Sequence, residues 1–227
     1  MTDPLVEINA RTRQAYNLAA QRYHDLFHNE MSEKAYDRDL LDRFARGLGG
    51  ESLVCDAGCG PSAHIGRYVF DKGIPVTGVD ISDQCVELAR RHNPGMEFAR
   101  ADIGALPFAD QTFDGIIAYY SIIDTPKEHV GRIFRDFQRV LKPQGRLLTA
   151  VKAGAAEGYQ PELLGIETPI WFALFTEAEI ADYYRQAGLQ IEFIEKRDPY
   201  GFEIKAERIF AIGKKLCFPD KRGGNAH

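Results

Sequence analysis

A chain of 227 residues, 44% hydrophobic and 27% charged, can bury a full core without disulfides or a structural metal. Its net charge of −5 argues against a broad nucleic-acid or anionic-membrane surface, which needs clustered Lys and Arg. No apolar run approaches the roughly 18 residues that cross a bilayer, so no membrane span is expected.

Met1–Asn9 has no basic patch followed by an apolar core, so no secretion signal is expected. Residues 1–50 read as helical and form a first unit expected to cover the functional site. Tyr16, Ala19, Ala20, Tyr23 and Phe27 fall on one face at spacings of three and four. A second helix carries Leu40, Leu41, Phe44 and Leu48 and ends at Gly49-Gly50. From Ser52 the character changes, as short apolar runs alternate with amphipathic segments. This is the pattern of parallel strands joined by helices, and it sets the core at 51–215.

Strands are expected at Ser52–Asp56, Val76–Asp80, Met96–Arg100, Phe113–Tyr119 and Gly145–Val151. One helix should open at Thr125, with Pro126 at its first position and Glu128 completing a capping box. Its apolar positions Ile133, Phe134, Phe137, Val140 and Leu141 keep helical period up to Lys142-Pro143-Gln144-Gly145. The stretch of about 153–175 has little periodicity and reads as a lid insertion. Thr176 with Glu179 caps the next helix, which runs to Gly188. Strands Leu189–Arg197 and Glu207–Lys214 follow without a helix between them, which implies an antiparallel hairpin at one sheet edge. The tail 216–227 is expected to be disordered.

The strongest chemical signal is Leu53-Val54-Cys55-Asp56-Ala57-Gly58-Cys59-Gly60-Pro61-Ser62, an apolar strand running into a glycine turn with a helix opening near Ala63. Gly58 and Gly60 allow backbone conformations and close approaches that a Cβ obstructs. In an α/β sheet, ligands collect at such a strand end. Val76–Asp80 ends in a carboxylate 22 residues after Gly58, placed to accept hydrogen bonds from both hydroxyls of an adenosine ribose or to cap the following helix, a task Ser82 can also do. The third strand ends in Ala101-Asp102-Ile103. Asp102 can accept from an adenine amino group, or stand as a solvated turn residue.

Together, Asp56-Ala57-Gly58-Cys59-Gly60, Asp80, Asp102-Ile103, Phe113-Asp114-Gly115-Ile116-Ile117 and Val140-Leu141-Lys142-Pro143-Gln144-Gly145 resemble the motif order of class I S-adenosylmethionine-dependent methyltransferases. The likeness covers about residues 52–151 and is nearest to small-molecule enzymes similar to those of ubiquinone biosynthesis. It implies a doubly wound, Rossmann-like α/β fold with a mostly parallel seven-stranded sheet and an antiparallel last strand. It also implies S-adenosyl-L-methionine as cofactor, S-adenosylhomocysteine as product and a small-molecule methyl acceptor.

By that resemblance the loop of Gly58, Cys59 and Gly60 holds the methionine part of the cofactor. Asp56 supports that loop or the cofactor's ammonium. Asp80 binds the ribose, Ile81 flanks the adenine, and Asp102 with Ile103 reads its edge. Backbone at Tyr119 faces the ammonium and sulfonium. Two positions depart from the pattern. Ser62 stands where a third glycine is usual, and Asp124 stands where many relatives have histidine.

Methyl transfer from a sulfonium needs alignment and exclusion of water, and for some acceptors a base. Asp124, Tyr120 and His64 are candidates for that base, although His64 can equally pack at a helix start and Asp124 can cap the helix near Thr125. Tyr16 or Tyr23 is expected to reach the cofactor. With Tyr159, Trp171, Phe172 and Phe175 they can close over the site and favour a flat or apolar substrate. Tyr200 and Phe202 read as packing residues.

His24-Asp25-Leu26-Phe27-His28 mimics a zinc-protease helix. It has Asp for the central Glu and no third ligand, so a surface pair is expected. Cys55 and Cys59 lack a second pair to complete a zinc site; with Cys85 and Cys217 they suit reduced thiols and a cytoplasmic location. Three rival readings keep the same loop: a nicotinamide-dependent oxidoreductase, a transferase moving another group from a related sulfonium, and a catalytically silent cofactor-binding module.

Overall fold

The computed structural model describes residues 4–217, so the tail expectation beyond Cys217 lies outside the described residues. The N-terminal part consists of α1 (Pro4–Phe27), a 3₁₀ turn (Glu30–Ser32) and α2 (Ala35–Arg46). The core follows as β1 (Val54–Ala57), α3 (His64–Phe70), β2 (Val76–Asp80), α4 (Asp83–His92), β3 (Glu97–Arg100), β4 (Phe113–Tyr119), α5 (Lys127–Val140) and β5 (Leu141–Lys152). A hairpin of β6 (Glu157–Leu163) and β7 (Ile166–Ala173) comes next, then α6 (Glu177–Gln186), β8 (Leu189–Arg197) and β9 (Arg208–Lys215).

Seven strands form one sheet in the order β3-β2-β1-β4-β5-β9-β8. β1 pairs parallel with both β2 and β4, and β9 pairs antiparallel with both β5 and β8. The expected terminal hairpin is present, but its last strand lies inside the sheet and β8 holds the edge. Successive strands run outward from β1 to β3 and then restart at β4 on its other side. That reversal opens a crevice beyond the carboxyl ends of β1 and β4, where open α/β sheets take ligands.

Both faces of the sheet are covered. On one, α5 buries Val130, Ile133, Phe134, Phe137 and Val140, as its period predicts. On the other, Leu40, Leu41 and Phe44 of α2 pack with Val69 of α3 and Val86 and Ala89 of α4. Tyr184 of α6 is fully buried, and its hydroxyl donates to Leu147 O (3.1 Å) or Ala211 O (3.0 Å) and lies 3.1 Å from Thr149 Oγ1.

Local signals held unevenly. Ser82 caps α4 through Cys85 N, and Thr176 with Glu179 forms the full capping box of α6. The box expected at Thr125 is absent. Pro126 is itself the N-cap, in an extended conformation, and α5 starts at Lys127 without a side-chain cap. α2 stops at Arg46, short of Gly49-Gly50, with Gly47 closing it.

The stretch at 153–175 is ordered as the β6–β7 hairpin, a separate two-stranded sheet turning at Leu164 and Gly165, both at positive φ (54° and 77°). Its Leu163 and Ile170 bury against Ala15 and Ala19 of α1.

Candidate functional site

A cavity of about 660 Å³, counting its open mouth, lies at the carboxyl ends of the central strands. From the sheet it is lined by Gly58 and Gly60 after β1, Asp80 and Ile81 at the end of β2, and Asp102 and Ile103 after β3. Tyr119, Tyr120, Ser121, Asp124 and Thr125 extend the wall beyond β4. α1 roofs it with Asn9, Thr12, Tyr16 and Tyr23. All nine of those loop, strand-end and tyrosine positions expected to meet a cofactor, other than Asp56 and Cys59, are therefore brought together, with the base candidates Asp124 and Tyr120.

The glycine turn is built by close approach. Gly58 has φ +82°, and a Cβ there would sit 2.2 Å from the Ser121 Cβ. Gly60 has φ +63° and borders the Tyr23 ring. The amides of Gly58 and Cys59 both donate to Val79 O, at 2.8 and 2.9 Å, which pins the turn to β2. Asp80 completes the frame, because its Oδ2 accepts from Gly60 N and its Oδ1 from Ser82 N, each at 2.9 Å. Asp80 thus positions the loop and the start of α4 while presenting to the cavity. Burial pushes its carboxyl up to about 6, against the pull of those amides.

Asp102 Oδ1 accepts from Gly104 N (2.8 Å), and its Oδ2 accepts from the Asn9 amide of α1 (2.7 Å). Asp124 Oδ2 accepts from the Tyr16 hydroxyl at 2.8 Å. It does not cap α5. Burial pushes Asp124 up to about 7, opposed by the Tyr16 bond and by Lys152 and reinforced by Asp80. The Tyr16 hydroxyl is held well above its ordinary range by burial and by Asp124. Three side-chain oxygens of the lining are buried without a hydrogen-bond partner among the described residues, Thr12 Oγ1, Tyr120 Oη and Ser121 Oγ. Tyr120 adopts φ +56°, a left-handed backbone that a bulky residue takes only where its surroundings impose it.

Three expected site residues stand outside the cavity. Asp56 is buried behind the loop, its Oδ2 accepting from Gly66 N at 3.0 Å, and burial pushes it up to about 7. It props α3. Cys59 turns its thiol inward, into the core against Phe98 and Gly78. His64, a base candidate from sequence, is tied 2.8 Å from Glu30 Oε1 and does not line the cavity. The aromatic lid also differs from expectation. Phe175 belongs to the main core, while Tyr159 and Trp171 pair on the hairpin away from the cavity. The His24–His28 pair extends into a stack, with His24 4.0 Å from the His92 ring.

Four lining residues escaped the sequence reading: Asn9, Thr12, Ser121 and Thr125. Asn9, Thr12, Tyr16 and Tyr23 share one phase of α1, at offsets of three, four and seven, so the helical period carried that signal.

A doubly wound sheet with a glycine turn and acidic strand ends gathered at its switch point defines a Rossmann-like, nucleotide-cofactor enzyme core. Residues 54–145 match the family model described as "Methyltransferase domain". The malonyl-[acyl-carrier protein] O-methyltransferase of Enterobacter lignolyticus is 34% identical over 139 residues, 59% of this chain and 50% of that protein. A Mus musculus protein named "Probable tRNA methyltransferase 9B" is 32% identical over 148 residues, 62% of this chain and 31% of that one. Among solved structures, the 1,6-didemethyltoxoflavin-N1-methyltransferase of Burkholderia thailandensis, with bound 1,6-didemethyltoxoflavin and S-adenosylhomocysteine, shares the fold at TM-score 0.73 and 19% identity, over 96% of this chain and 92% of that one. Residues 54–145 thus form a methyltransferase domain on a Rossmann-like sheet. The chain spans about half or less of the length of the curated relatives it matches.

Proposed function

We propose that this protein transfers a methyl group from S-adenosylmethionine to an O, N or C atom of a small molecule. The observation that carries the reading is the convergence of Gly58, Gly60, Asp80 and Asp102 on one cavity, each at the carboxyl end of a neighbouring strand. The residues present fit the cofactor. Asp80 offers carboxylate oxygens to a ribose, Ile81 and Ile103 give apolar walls for a flat base, and Asp102 lies where a base edge would end. The buried, unpartnered Ser121 Oγ beside Gly58 awaits a polar partner in the same place.

When bound, the cofactor supplies an activated methyl on a sulfonium, so the chain's own task is alignment and exclusion of water. Tyr16 and Tyr23 of α1 close the roof and present aromatic faces to a cation. Asp80, Asp102 and Asp124 line the cavity, and no Lys or Arg among the described residues does. That balance favours a ligand of net positive charge.

A small-molecule acceptor is favoured over nucleic acid by the chain's net charge of −5 and by the roofed cavity. No helix among the described residues is long and apolar enough to cross a membrane. The buried free thiols of Cys55, Cys59 and Cys85 support a reducing, cytoplasmic setting.

Calorimetric titration with S-adenosylhomocysteine and, separately, with NAD tests the cofactor. Saturable uptake of the first alone is expected, and uptake of NAD alone would replace this reading with an oxidoreductase. Transfer of labelled methyl from S-adenosylmethionine to tRNA in preference to small acceptors would overturn the acceptor assignment.

A further inference from the structure

Outside the cavity lining, but coupled electrostatically to Asp124, lies a cation of a different kind from the rest. The buried cations behind Tyr120 are all paired. Lys34 lies 2.8 Å from Glu30 and 3.2 Å from Glu203, Arg197 3.0 Å from Glu203 and 3.3 Å from Asp37, and Arg208 3.5 Å from Glu203. Lys152, the last residue of β5, makes neither a hydrogen bond nor an ion pair through its ammonium among the described residues, although it is largely buried and interacts electrostatically with Asp124 and Arg208.

The backbone explains how its strand comes to lie by the Asp124 loop. Ala173 N donates to Ile123 O (2.7 Å) and Phe175 N to Lys152 O (3.0 Å), so the end of β7 stitches the Asp124 loop to the end of β5. On the opposite side, Lys152 is the register partner of Arg208 in β9. Asp124 spends one oxygen on the Tyr16 hydroxyl and keeps Oδ1 free of any hydrogen bond among the described residues.

We infer that Asp124 and Lys152 form the acceptor-activating pair, and that the acceptor is an uncharged molecule carrying an ionisable O–H or N–H, such as a phenol, an enol or a ring N–H, rather than a carboxylate. This rests on the methyltransferase reading and deepens it. The acceptor's O–H or N–H bond breaks and its proton passes to Asp124. The freed electron pair forms the new bond to the methyl carbon, while the carbon–sulfur pair stays on sulfur as the sulfonium becomes a thioether. Lys152 does not line the cavity and acts through Asp124, favouring its charged, proton-accepting form, while Tyr16 holds the carboxylate in place. An acceptor that is already a carboxylate has no proton to give and meets Asp80, Asp102 and Asp124 as like charges.

The test uses protein saturated with S-adenosylhomocysteine and 3-nitrophenol as probe at pH 7.5, where the free phenol is mostly neutral and its phenolate is coloured. Saturable binding with phenolate absorbance is expected, with benzoate binding at least tenfold more weakly. Lys152→Met should lower the ionised fraction of bound probe at least threefold, and Lys152→Arg should restore it, a spectroscopic change that a purely structural lysine would not produce. Asp124→Asn, read the same way, serves if Lys152→Met fails to fold. No binding of the phenol, tighter binding of benzoate, or an unchanged spectrum in the folded variants would overturn the pair. Failure of the wild-type protein to take up S-adenosylhomocysteine in the first step would instead overturn the methyltransferase reading itself.

Discussion

Replacing Asp80 with Asn tests the strand end on which the cofactor assignment leans most. Asp80 is only 7% exposed and accepts from the Gly60 and Ser82 amides, one on each oxygen. An Asn side chain keeps one acceptor and turns an NH₂ toward the other amide. The variant therefore loses a charge-assisted bond inside the protein and the charge presented to a ribose. Losing one charge-assisted hydrogen bond to the ligand costs about 1.5–3 kcal/mol, a Kd about 10- to 140-fold higher. The assay is calorimetric titration with S-adenosylhomocysteine beside a thermal melt. In the wild type, affinity should also climb as pH rises through about 6, where Asp80 ionises, and Asp80→Asn should flatten that climb. A Kd within threefold of wild type in a well-folded Asp80→Asn protein would refute the role given to this residue.

Other changes reach different parts of the molecule. Gly58→Ala forces a Cβ to 2.2 Å from Ser121 at φ +82°; it should lower the melting temperature and abolish saturable cofactor uptake in calorimetry. Glu203→Ala takes from Arg208 its carboxylate partner and leaves Lys34 and Arg197 with Glu30 and Asp37, and the buried charge left unpaired should cost about 3–5 kcal/mol in urea unfolding. Tyr184→Phe removes a fully buried hydroxyl far from the cavity, so about 1 kcal/mol of stability should go in the same assay while cofactor affinity stays unchanged. Asp56 keeps its proton up to about 7 when folded, against 3.8 in the open chain. The folded state thus binds the extra proton between those values, and its stability falls as pH rises across that range. Asp56→Asn should remove the slope, shifting the stability difference by roughly 2–3 kcal/mol in the variant's favour between pH 5 and 8.

What could be read from sequence follows from how local each cause is. The strand ends at Asp80 and Asp102 and the glycine turn were legible because parallel strands buried on both faces leave continuous apolar runs that stop at the ligand. The Thr176–Glu179 box was legible for the same reason, since its partners are three residues apart. Thr125 and Glu128 have that spacing too, yet Pro126 holds an extended backbone and takes the cap position itself. The β6–β7 hairpin hid because Gly158, Pro161 and Pro169 break its alternation and one side faces solvent, leaving only Leu163, Thr168, Ile170 and Ala173 buried. His64 misled because nothing nearby in the chain announces Glu30, 34 residues away, as its partner. The closeness of the Asp124 loop to the end of β5 was equally beyond reach, being made by backbone bonds from Ala173 and Phe175.

The position of β9 has a consequence for biosynthesis. This strand fills the gap between β5 and β8 and buries Arg208 through Gly213. While the ribosome is still adding those residues, β8 has no neighbour to join and the open flank of β5 shows unpaired amides and carbonyls. Translation proceeds at roughly 5–20 residues per second, so that exposed edge persists for about a second or more after β8 is made. During that interval the nascent chain is at its most prone to stick to another copy of itself.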